Sequence, residues 1–511
     1  PPHPPEVAAK VALVNFAVKE AGLDAQMLSL VVELEQPELE TEKSMLVKRV
    51  ATGKAMLVEL EDRILSELQT VTGSLIENDA IMETLQASQQ TSAEVTEQLI
   101  VSEEKDKRIE EARQAFTPVS ERAALLYFVL NDLRTVDPMY QFSLAAYSAL
   151  FQRSILEVQK RLEKEKMSAS SKPLPPDEEM ARRIAAINDH HTLAVYKWAC
   201  LGLFEEHKVL LSLQICVRKL QKSGKIPTAE WDLFLKGGVV LDRSEQRPNP
   251  TAWLKDPTAW DSINVLDSSI EAFSGLVSEF EQDARPWQEW WEHPTPEAAP
   301  LPREWDSKLS ELHRLILVRC LRRDRVLRAV SSFVSNNLGP EFIKPPPLQL
   351  AQVERDASEY IPLVFVLSPG TDPTSQVVSL HQKLSAEGAV TGELRSCSLG
   401  QGQAPIARAY IEEGLRAGSW VLLQNCHLSI SWMPELEKII EGYCTASGEG
   451  APAEGFRLWL SSAPHPKFPI SILQRATKIT LQPPRGLAAN MKRMYNTLSE
   501  DGFESAARRT P

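Results

Sequence analysis

The stretch IPLVFVLSPGTDPT, residues 361–374, decides the fold of the carboxyl-terminal part of this sequence. Five consecutive apolar residues, Leu363 to Leu367, lie between two prolines and are too few for a buried helix, so they indicate a buried β-strand. The Ser-Pro-Gly segment that follows predicts a tight turn. Since uninterrupted apolar strands are typical of parallel sheets covered on both faces, we expect helices to pack on this strand.

Outward from this strand, short apolar runs alternate with helical patterns. Two further strands are predicted at Trp420 to Leu423 and at Phe456 to Leu460. Helical segments are predicted at Ser375 to Leu384, Ala404 to Arg416 and Met433 to Tyr443. Strands that alternate with helices indicate an α/β module built on a parallel sheet.

The segment 36–115 is rich in Glu, Leu, Lys and Gln and shows two heptad seams on either side of Thr72-Gly73-Ser74. The first seam consists of Leu46, Val50, Gly53, Leu57, Leu60, Ile64 and Glu67 or Leu68, and the second of Ile81, Leu85, Ser88, Ser92, Val95 and Leu99. The pattern predicts an antiparallel coiled-coil hairpin; two ordinary amphipathic helices on a globular body are the alternative.

The region 116–345 is helical in pattern and carries eight of the eleven tryptophans. Helical runs are predicted through His190 to Leu213 and through Leu309 to Val334. We expect the tryptophans between these runs to form a core rather than a ligand site: Trp231, Trp253, Trp260, Trp287, Trp290, Trp291 and Trp305. The whole chain is therefore predicted to be mainly α, with a carboxyl-terminal α/β module.

Composition excludes several classes of protein. The 511 residues include 56 Lys and Arg against 69 Asp and Glu, a net charge of −13, which disfavours sequence-independent nucleic-acid binding. No apolar run approaches the roughly 20 residues that span a bilayer, so no membrane association is expected. The six cysteines show no CxxC spacing, which favours reduced thiols over a disulfide scaffold or zinc module: Cys200, Cys216, Cys320, Cys397, Cys426 and Cys444.

The turn after the first predicted strand is where a phosphate-binding loop would lie, yet its residues oppose phosphate. A GxxxxGK[ST] loop uses glycines so that backbone N–H groups curl around phosphate, and a lysine for charge. Here the turn contains Ser368, Pro369, Gly370, Thr371 and Asp372, with one glycine, no lysine and an added carboxylate. The sequence therefore predicts a degenerate phosphate loop that binds no nucleotide.

Other motifs are also incomplete. Gln424 and Asn425 stand at the end of the second predicted strand, where a carboxylate pair would hold Mg²⁺. Cys426 and His427 follow them, and strand alternation predicts that the two side chains point to opposite faces, which argues against a dyad. The GxG of residues 399–405 follows no convincing strand and predicts a tight turn before a helix. His190-His191 has no third ligand at a metal-like spacing, so neither a catalytic residue nor a metal site is expected.

Ten segments of the chain resemble dynein heavy chains, in the same order. In the carboxyl-terminal part they are PLVFVLSPGTDPT (362–374), LGQGQAPIA (399–407), GSWVLLQNCHLSISWMPELE (418–437), FRLWLSSAPHPKFPISILQ (456–474) and PPRGLAANM (483–491). Upstream they are residues 1–40, 57–85, 137–151, 188–200 and 234–243. These motifs resemble the axonemal type of the family.

The resemblance implies a domain order. Residues 1–35 would end the large part of the fifth AAA+ module, and 36–115 would be the buttress hairpin that braces the stalk. Residues 116–345 would form a helical small domain and connecting region. Residues 346–492 would be the sixth AAA+ module, an AAA+-like α/β unit with a degenerate nucleotide site, and 493–511 a tail.

The resemblance also implies a function. The family consists of ATP-driven motors that walk on microtubules in cilia and flagella, and in this segment we expect a structural, force-coupling role without hydrolysis. ATP and Mg²⁺ would belong to the parent motor, whose principal sites, stalk and microtubule contact lie upstream of Pro1. Expected partners are the neighbouring AAA+ modules, the stalk, and the intermediate and light chains, with localisation at the cytoskeleton and axoneme. A truncated interaction protein and an ATP-binding enzyme remain alternatives.

Overall fold

The structure is a computed structural model. It describes residues 18–70, most of 93–168, 175–236, 247–344, 347–400, 402–446, 448–483 and 486–497. The described chain divides into two compact units. The first contains residues up to 128 and 147–192, and the second contains 129–146 and all residues from 193 onward.

The first unit is helical throughout its described part. It holds α1 (Glu20–Glu35), α2 (Pro37–Thr70), helical residues between 93 and 114, and most of α3 (Thr117–Asp132), α4 (Leu144–Ser168) and α5 (Pro176–Leu201). The helix α2 coincides with the first predicted arm of the hairpin. Most of the second arm, from Ile81 to Ser92, lies outside the described residues, so the hairpin stays a prediction.

Ion pairs join the base of α2 to the helical residues before 114. Lys43 Nζ lies 2.5 Å from Glu110 Oε2, and the buried guanidinium of Arg113 pairs with Glu40. A step of three residues forward along α2 thus corresponds to three residues backward along the other segment. The two segments therefore run antiparallel where they are described.

Before the sheet, the second unit consists of helices and contains a tryptophan core. They are α6 (Glu205–Lys222), α7 (Thr228–Lys236), α8 (Pro257–Ser269), α9 (Leu276–Gln282), α10 (Arg285–Glu292), α11 (Trp305–Lys308), α12 (Glu311–Leu321) and α13 (Val326–Leu338). Trp287 is fully buried, its ring stacks on Phe280 at 5.2 Å, and Trp305 meets it edge-on. The prediction of an aromatic core is confirmed for Trp260, Trp287, Trp290 and Trp305.

A five-stranded parallel sheet follows, in the order β2-β3-β4-β1-β5. Its strands are β1 (Leu363–Leu367), β2 (Leu394–Ser398), β3 (Trp420–Gln424), β4 (Arg457–Ser462) and β5 (Thr477–Leu481). The helices of this part are α14 (Leu350–Asp356), α15 (Thr374–Ala386), α16 (Ala404–Ala417), α17 (Met433–Cys444), α18 (Ile470–Arg475) and α19 (Leu487–Thr497).

Helices cover both faces of this sheet, as the continuous apolar strands predict. On one face, Phe365, Trp420 and Trp459 pack with Val377 and other apolar residues of α15. On the other face, α16 approaches β3 so closely that a Cβ on Gly414 would lie 2.9 Å from Val421 Cγ2. Glycine at this position therefore sets the distance between helix and sheet.

Some elements differ from the prediction. The strands β2 and β5 were missed, because both lie at the edges of the sheet and their residues are only partly buried. The predicted run from His190 to Leu213 is broken near Gly202, and the run from Leu309 to Val334 is broken at Arg322, where α12 ends. None of the described helices is long and apolar enough to cross a membrane.

The outer edge of β5 is covered by the segment between α5 and α6. Thr480 Oγ1 donates to the carbonyl oxygens of Leu201 (3.2 Å) and Leu203 (2.7 Å), and the Gln482 side chain accepts from Glu205 N at 3.0 Å. Because the side chains of Thr480 and Gln482 make these contacts, the covering segment is bound without becoming a further strand of the sheet.

Lys478 of β5 is buried without a carboxylate partner among the described residues. Its ammonium group donates to Leu473 O (2.8 Å) and Ala476 O (3.3 Å), and it lies 4.6 Å from the centre of the Phe142 ring. Burial lowers the pKa of Lys478 to about 7. Carbonyl oxygens at the end of α18 thus compensate only part of the cost of burying this charge.

We predict that Lys478→Met stabilises the fold near neutral pH and removes part of its pH dependence. Because the unfolded lysine binds its proton up to pH 10.5 and the folded one only to about 7, wild-type stability rises across this window by roughly 5 kcal/mol. Denaturant titrations at several pH values, followed by tryptophan fluorescence, measure the effect. The exposed Lys467→Met is the control, and equal pH slopes for all three proteins would contradict the prediction.

Candidate functional site

The carboxyl ends of the parallel strands form the place where open α/β sheets bind their ligands. In this chain the edge contains the turn after β1, the ends of β3 and β4, and the end of β5. All the degenerate motif positions of the sequence lie here, so the sheet does bring them together. What the edge can bind depends on which of its polar groups are already paired.

The turn after β1 is closed by its own hydrogen bonds. Ser368 N donates to Leu481 O of β5 at 3.0 Å, and the Thr371 hydroxyl donates to Ser368 O at 2.6 Å. Gly370 has a φ of 80°, which a residue with a side chain rarely adopts. Instead of a wide loop with inward N–H groups, the chain makes a tight turn attached to β5.

The side chain of Asp372 occupies the amino-terminal end of α15. Its Oδ1 accepts from Thr374 N at 2.9 Å and from Thr374 Oγ1 at 2.5 Å. A helix amino terminus attracts anions because its N–H groups are unpaired and its dipole is positive there. Here the chain's own carboxylate takes that place, so a phosphate would meet a negative charge and a paired N–H group.

Gln424, the last residue of β3, joins this cap. Its Nε2 donates to Thr374 Oγ1 at 3.0 Å, and the same hydroxyl group donates to Asp372. The Thr374 hydroxyl therefore links Asp372 to the end of β3. A carboxylate at this position would bind Mg²⁺, whereas the amide donates a hydrogen bond to protein. The residues Asp372, Thr374 and Gln424 are called the cap chain below.

Asn425 connects three strands. Its backbone N–H donates to Ser461 Oγ of β4 at 3.2 Å, and its side-chain amide donates to Ser398 Oγ of β2 at 3.3 Å. Asn425 adopts a φ of 56°, a left-handed conformation that asparagine tolerates better than most residues. The strand therefore ends at Gln424 and the chain turns sharply.

The placement of Cys426 and His427 on a strand, which was the reason given against a nucleophilic dyad, was wrong. The strand has already ended, and both residues lie in a short 3₁₀ turn, Cys426–Leu428. Burial raises the pKa of Cys426 to about 12. His427 Nδ1 accepts from Ala463 N at 3.1 Å, and burial lowers its pKa. The thiol is inert and the imidazole serves as a hydrogen-bond acceptor.

The GxG loop follows a strand after all. β2 ends at Ser398, directly before this loop, which corrects the expectation from sequence. The rest of that expectation is confirmed: Gly402 has a φ of 78°, and Pro405 stands in the first turn of α16.

His190 and His191 have separate partners. His190 lies 3.0 Å from Glu157. The fully buried His191 is hydrogen-bonded to Tyr147 (2.9 Å) and Ser154 (3.1 Å), and burial lowers its pKa to about 3. The Tyr147 hydroxyl also donates to Ala123 O at 2.6 Å, so the imidazole is held in a hydrogen-bonded network inside the helical unit. No group of three metal-binding side chains exists among the described residues.

Sequence reasoning missed Thr374, Ser398 and Ser461 as parts of this edge. A signal existed for the first of them, because an aspartate followed two residues later by threonine is a common turn-closing pair. The two serines had no local signal, since their partner Asn425 is distant in sequence. Together with Asp372, Gln424 and Asn425, these residues connect the strand ends by hydrogen bonds. This hydrogen-bonded edge is called the joint below.

We predict that Asp372→Ala lowers the free energy of unfolding by about 1 kcal/mol, the usual cost of removing a helix cap. Asp372→Asn keeps an acceptor oxygen and should retain most of the stability. Thermal or urea unfolding of the three proteins measures the difference. An Asp372→Ala protein as stable as the wild type would show that the cap chain contributes nothing.

Comparison with known proteins shows relatives over nearly the whole chain. The family model described as "Dynein heavy chain region D6 P-loop domain" matches residues 358–480, which include β1 to β4 and most of β5. The family model described as "ATP-binding dynein motor region" matches residues 1–95.

Individual relatives agree with the family models. The "Dynein-1-beta heavy chain, flagellar inner arm I1 complex" of Chlamydomonas reinhardtii is 50% identical over 504 residues, 98% of this chain and 11% of that protein. "Dynein axonemal heavy chain 2" of Mus musculus is 47% identical over 504 residues, and "Dynein axonemal heavy chain 1" of Rattus norvegicus 37% over 505, again 11% of each relative. The chain therefore spans about a tenth of the length of the relatives it matches.

Proposed function

Since the chain belongs to the dynein heavy chain family, we propose that it is a structural, force-coupling segment of an axonemal heavy chain that hydrolyses no ATP itself. The parent protein would be the microtubule motor, and ATP and Mg²⁺ would bind its other modules. Segments 1–35, 36–115, 116–345 and 346–492 would be the end of the fifth AAA+ module, the buttress hairpin, a connecting region and the sixth module.

The observation that carries this proposal is the closed carboxyl edge of the sheet. The cap chain places a carboxylate at the helix amino terminus and an amide at the end of β3, where phosphate and Mg²⁺ would need cationic and anionic groups respectively. In a nucleotide-binding module, the ligand connects these two places and its loss releases them. In this chain, hydrogen bonds of the protein connect them without a ligand, which suits an element that transmits displacement.

The base of the predicted hairpin supports the coupling part of the proposal. Arg113 is buried, pairs with Glu40 and also donates to Ser29 Oγ of α1 at 3.0 Å. One side chain thereby connects α1, α2 and the returning segment. Movement of either helix of the hairpin would reach α1 through this residue.

Partners and location follow from family membership as further parts of the proposal. The segment would contact neighbouring AAA+ modules and the stalk of the same heavy chain, and the assembled motor would carry intermediate and light chains. Microtubules would be reached through the stalk alone. The named relatives are axonemal and flagellar dyneins, so the axoneme of cilia or flagella is the proposed location.

Titration of the chain with Mg·ATP by isothermal calorimetry tests the absence of a nucleotide site. We expect no saturable heat up to about 1 mM ATP, corresponding to a binding free energy weaker than about 4 kcal/mol. As a matched variant, Ser368→Gly, Asp372→Ala, Pro373→Gly and Thr374→Lys together install a GxxxxGKS loop and should increase affinity. Saturable micromolar binding by the wild type would overturn the proposal and favour an enzyme.

Charge exchange at the hairpin base tests force coupling in the intact heavy chain. Glu40→Arg and Arg113→Glu should each slow microtubule gliding severalfold at unchanged basal ATP turnover, because each leaves a buried charge facing its like, a loss of roughly 3 kcal/mol. The double variant restores the pair and should recover most of the velocity. Normal gliding by both single variants would contradict a coupling role for this contact.

A further inference from the structure

The second edge of the sheet is open. β2 is the outermost strand on the side away from β5, and no other described strand pairs with its outer side. Its five residues include neither proline nor lysine, and their one charged side chain, Arg395, is paired with Glu413 of α16. Natural proteins commonly block exposed edges with such residues or cover them, since an open edge is a template for another strand.

The register of β2 identifies which backbone groups are free to pair. Trp420 N bonds Glu393 O, and Leu399 N bonds Gln424 O, both at 2.8 Å, so alternate residues from Glu393 to Leu399 face β3. The N–H groups of Leu394, Ser396 and Ser398 therefore point away from the sheet. They are spread over about 13 Å, which matches an extended segment of polypeptide rather than a helix or a small molecule.

The opposite edge shows how this fold treats an edge that it closes. There, Thr480 and Gln482 of the β5 region hold the segment between α5 and α6 by three hydrogen bonds. At β2, by contrast, the outward positions Ser396 and Ser398 are exposed. The β5 edge of the sheet is therefore covered, whereas the β2 edge is available for pairing.

A groove runs along the open edge and gives it a second wall. It has a volume of about 560 Å³ and lies between β2 and the first turns of α16. Its lining is uncharged and consists of Ser396, Cys397, Ser398, Gly400, Gln403, Ile406 and Tyr410. Ile406 is 43% exposed, so a side chain of an added strand would find an apolar contact on the helix.

The ionised groups at one end of this groove carry a net negative charge. Arg395 pairs with Glu413 and lies 3.7 Å from Glu393, while its guanidinium also stacks over Tyr410. Two carboxylates thus share one cation, and the Glu393 side chain remains 81% exposed. A basic side chain at the matching end of an added strand would complete this cluster.

The geometry points to β2 as a docking edge for an extended, basic segment of the same heavy chain that lies outside these 511 residues. The relatives are about nine times longer than this chain, so most of the parent polypeptide is outside it and is held nearby at high effective concentration. The segment adds as a sixth strand along the outer side of β2, contacts Ile406 and Tyr410, and places a lysine or arginine beside Glu393. This inference uses the family membership and is independent of whether the joint binds nucleotide.

Amide hydrogen exchange in the purified intact heavy chain tests the added strand. The N–H groups of Leu394, Ser396 and Ser398, which pairing with β3 leaves free, should exchange at least tenfold more slowly than exposed amides. Ser396→Pro removes one of these donors without touching the ladder with β3, and it should restore fast exchange at Ser398. Ser396→Ala keeps the backbone donor and is the matched control. Fast exchange in the wild type would overturn the proposal.

Photo-crosslinking in the same protein identifies the occupant. p-Benzoylphenylalanine in place of Tyr410 should crosslink to a heavy-chain segment that contains a basic residue, and Glu393→Lys should lower the yield severalfold while the exposed Glu387→Lys does not. A crosslink to a second heavy chain, or to an intermediate or light chain, would overturn the choice of occupant. Equal yields from both lysine variants would overturn the charge argument.

Discussion

The hydrogen bonds from Thr374 to Asp372 and from Gln424 to Thr374 are the constraint on which the carboxyl edge of the sheet depends. Thr374 begins α15, which follows β1, and Gln424 ends β3, which β4 separates from β1 in the sheet. The Thr374 hydroxyl therefore connects this helix to a strand that does not pair with β1. A bound nucleotide would occupy the same place with phosphate and Mg²⁺. Under the proposed function, the protein would make by its own hydrogen bonds the connection that a nucleotide makes elsewhere, and the geometry of this edge would need no ligand.

Much of this arrangement could be predicted from local sequence, and the limits have a physical cause. Leu363–Leu367 was found because a central strand is buried on both faces and reads as a continuous apolar run. β2 and β5 are edge strands with mixed residues, so they carry no such signal. The cap of Asp372 on Thr374 spans two residues and was readable, whereas the bond from Gln424 to Thr374 spans 50 and requires the strand order.

The same separation of local from long-range information applies to the first unit. The heptad spacing of α2 is a local pattern and was recognised, and its bounds agree with the structure. The pairing of Glu40 with Arg113 joins residues 73 positions apart, and no periodicity announces it. In the predicted hairpin this contact would select the antiparallel register, since coiled-coil seams permit several registers and a buried charged pair excludes those that separate it.

The asymmetry between the two sheet edges follows from what each strand can offer. Thr480 of β5 and Gln482, just after the strand, present hydroxyl and amide side chains that bind carbonyl and N–H groups of a covering segment, so this edge is closed by side chains. β2 uses Ser398 for Asn425 of the joint, which leaves its outward N–H groups as the principal means of pairing. Main-chain groups at this spacing select an extended chain by geometry, and side chains such as Ile406 and Glu393 then select which one. Closed strand ends and an open lateral edge are therefore compatible in one module: the first would keep its shape constant, and the second would let another part of the heavy chain bind to that shape.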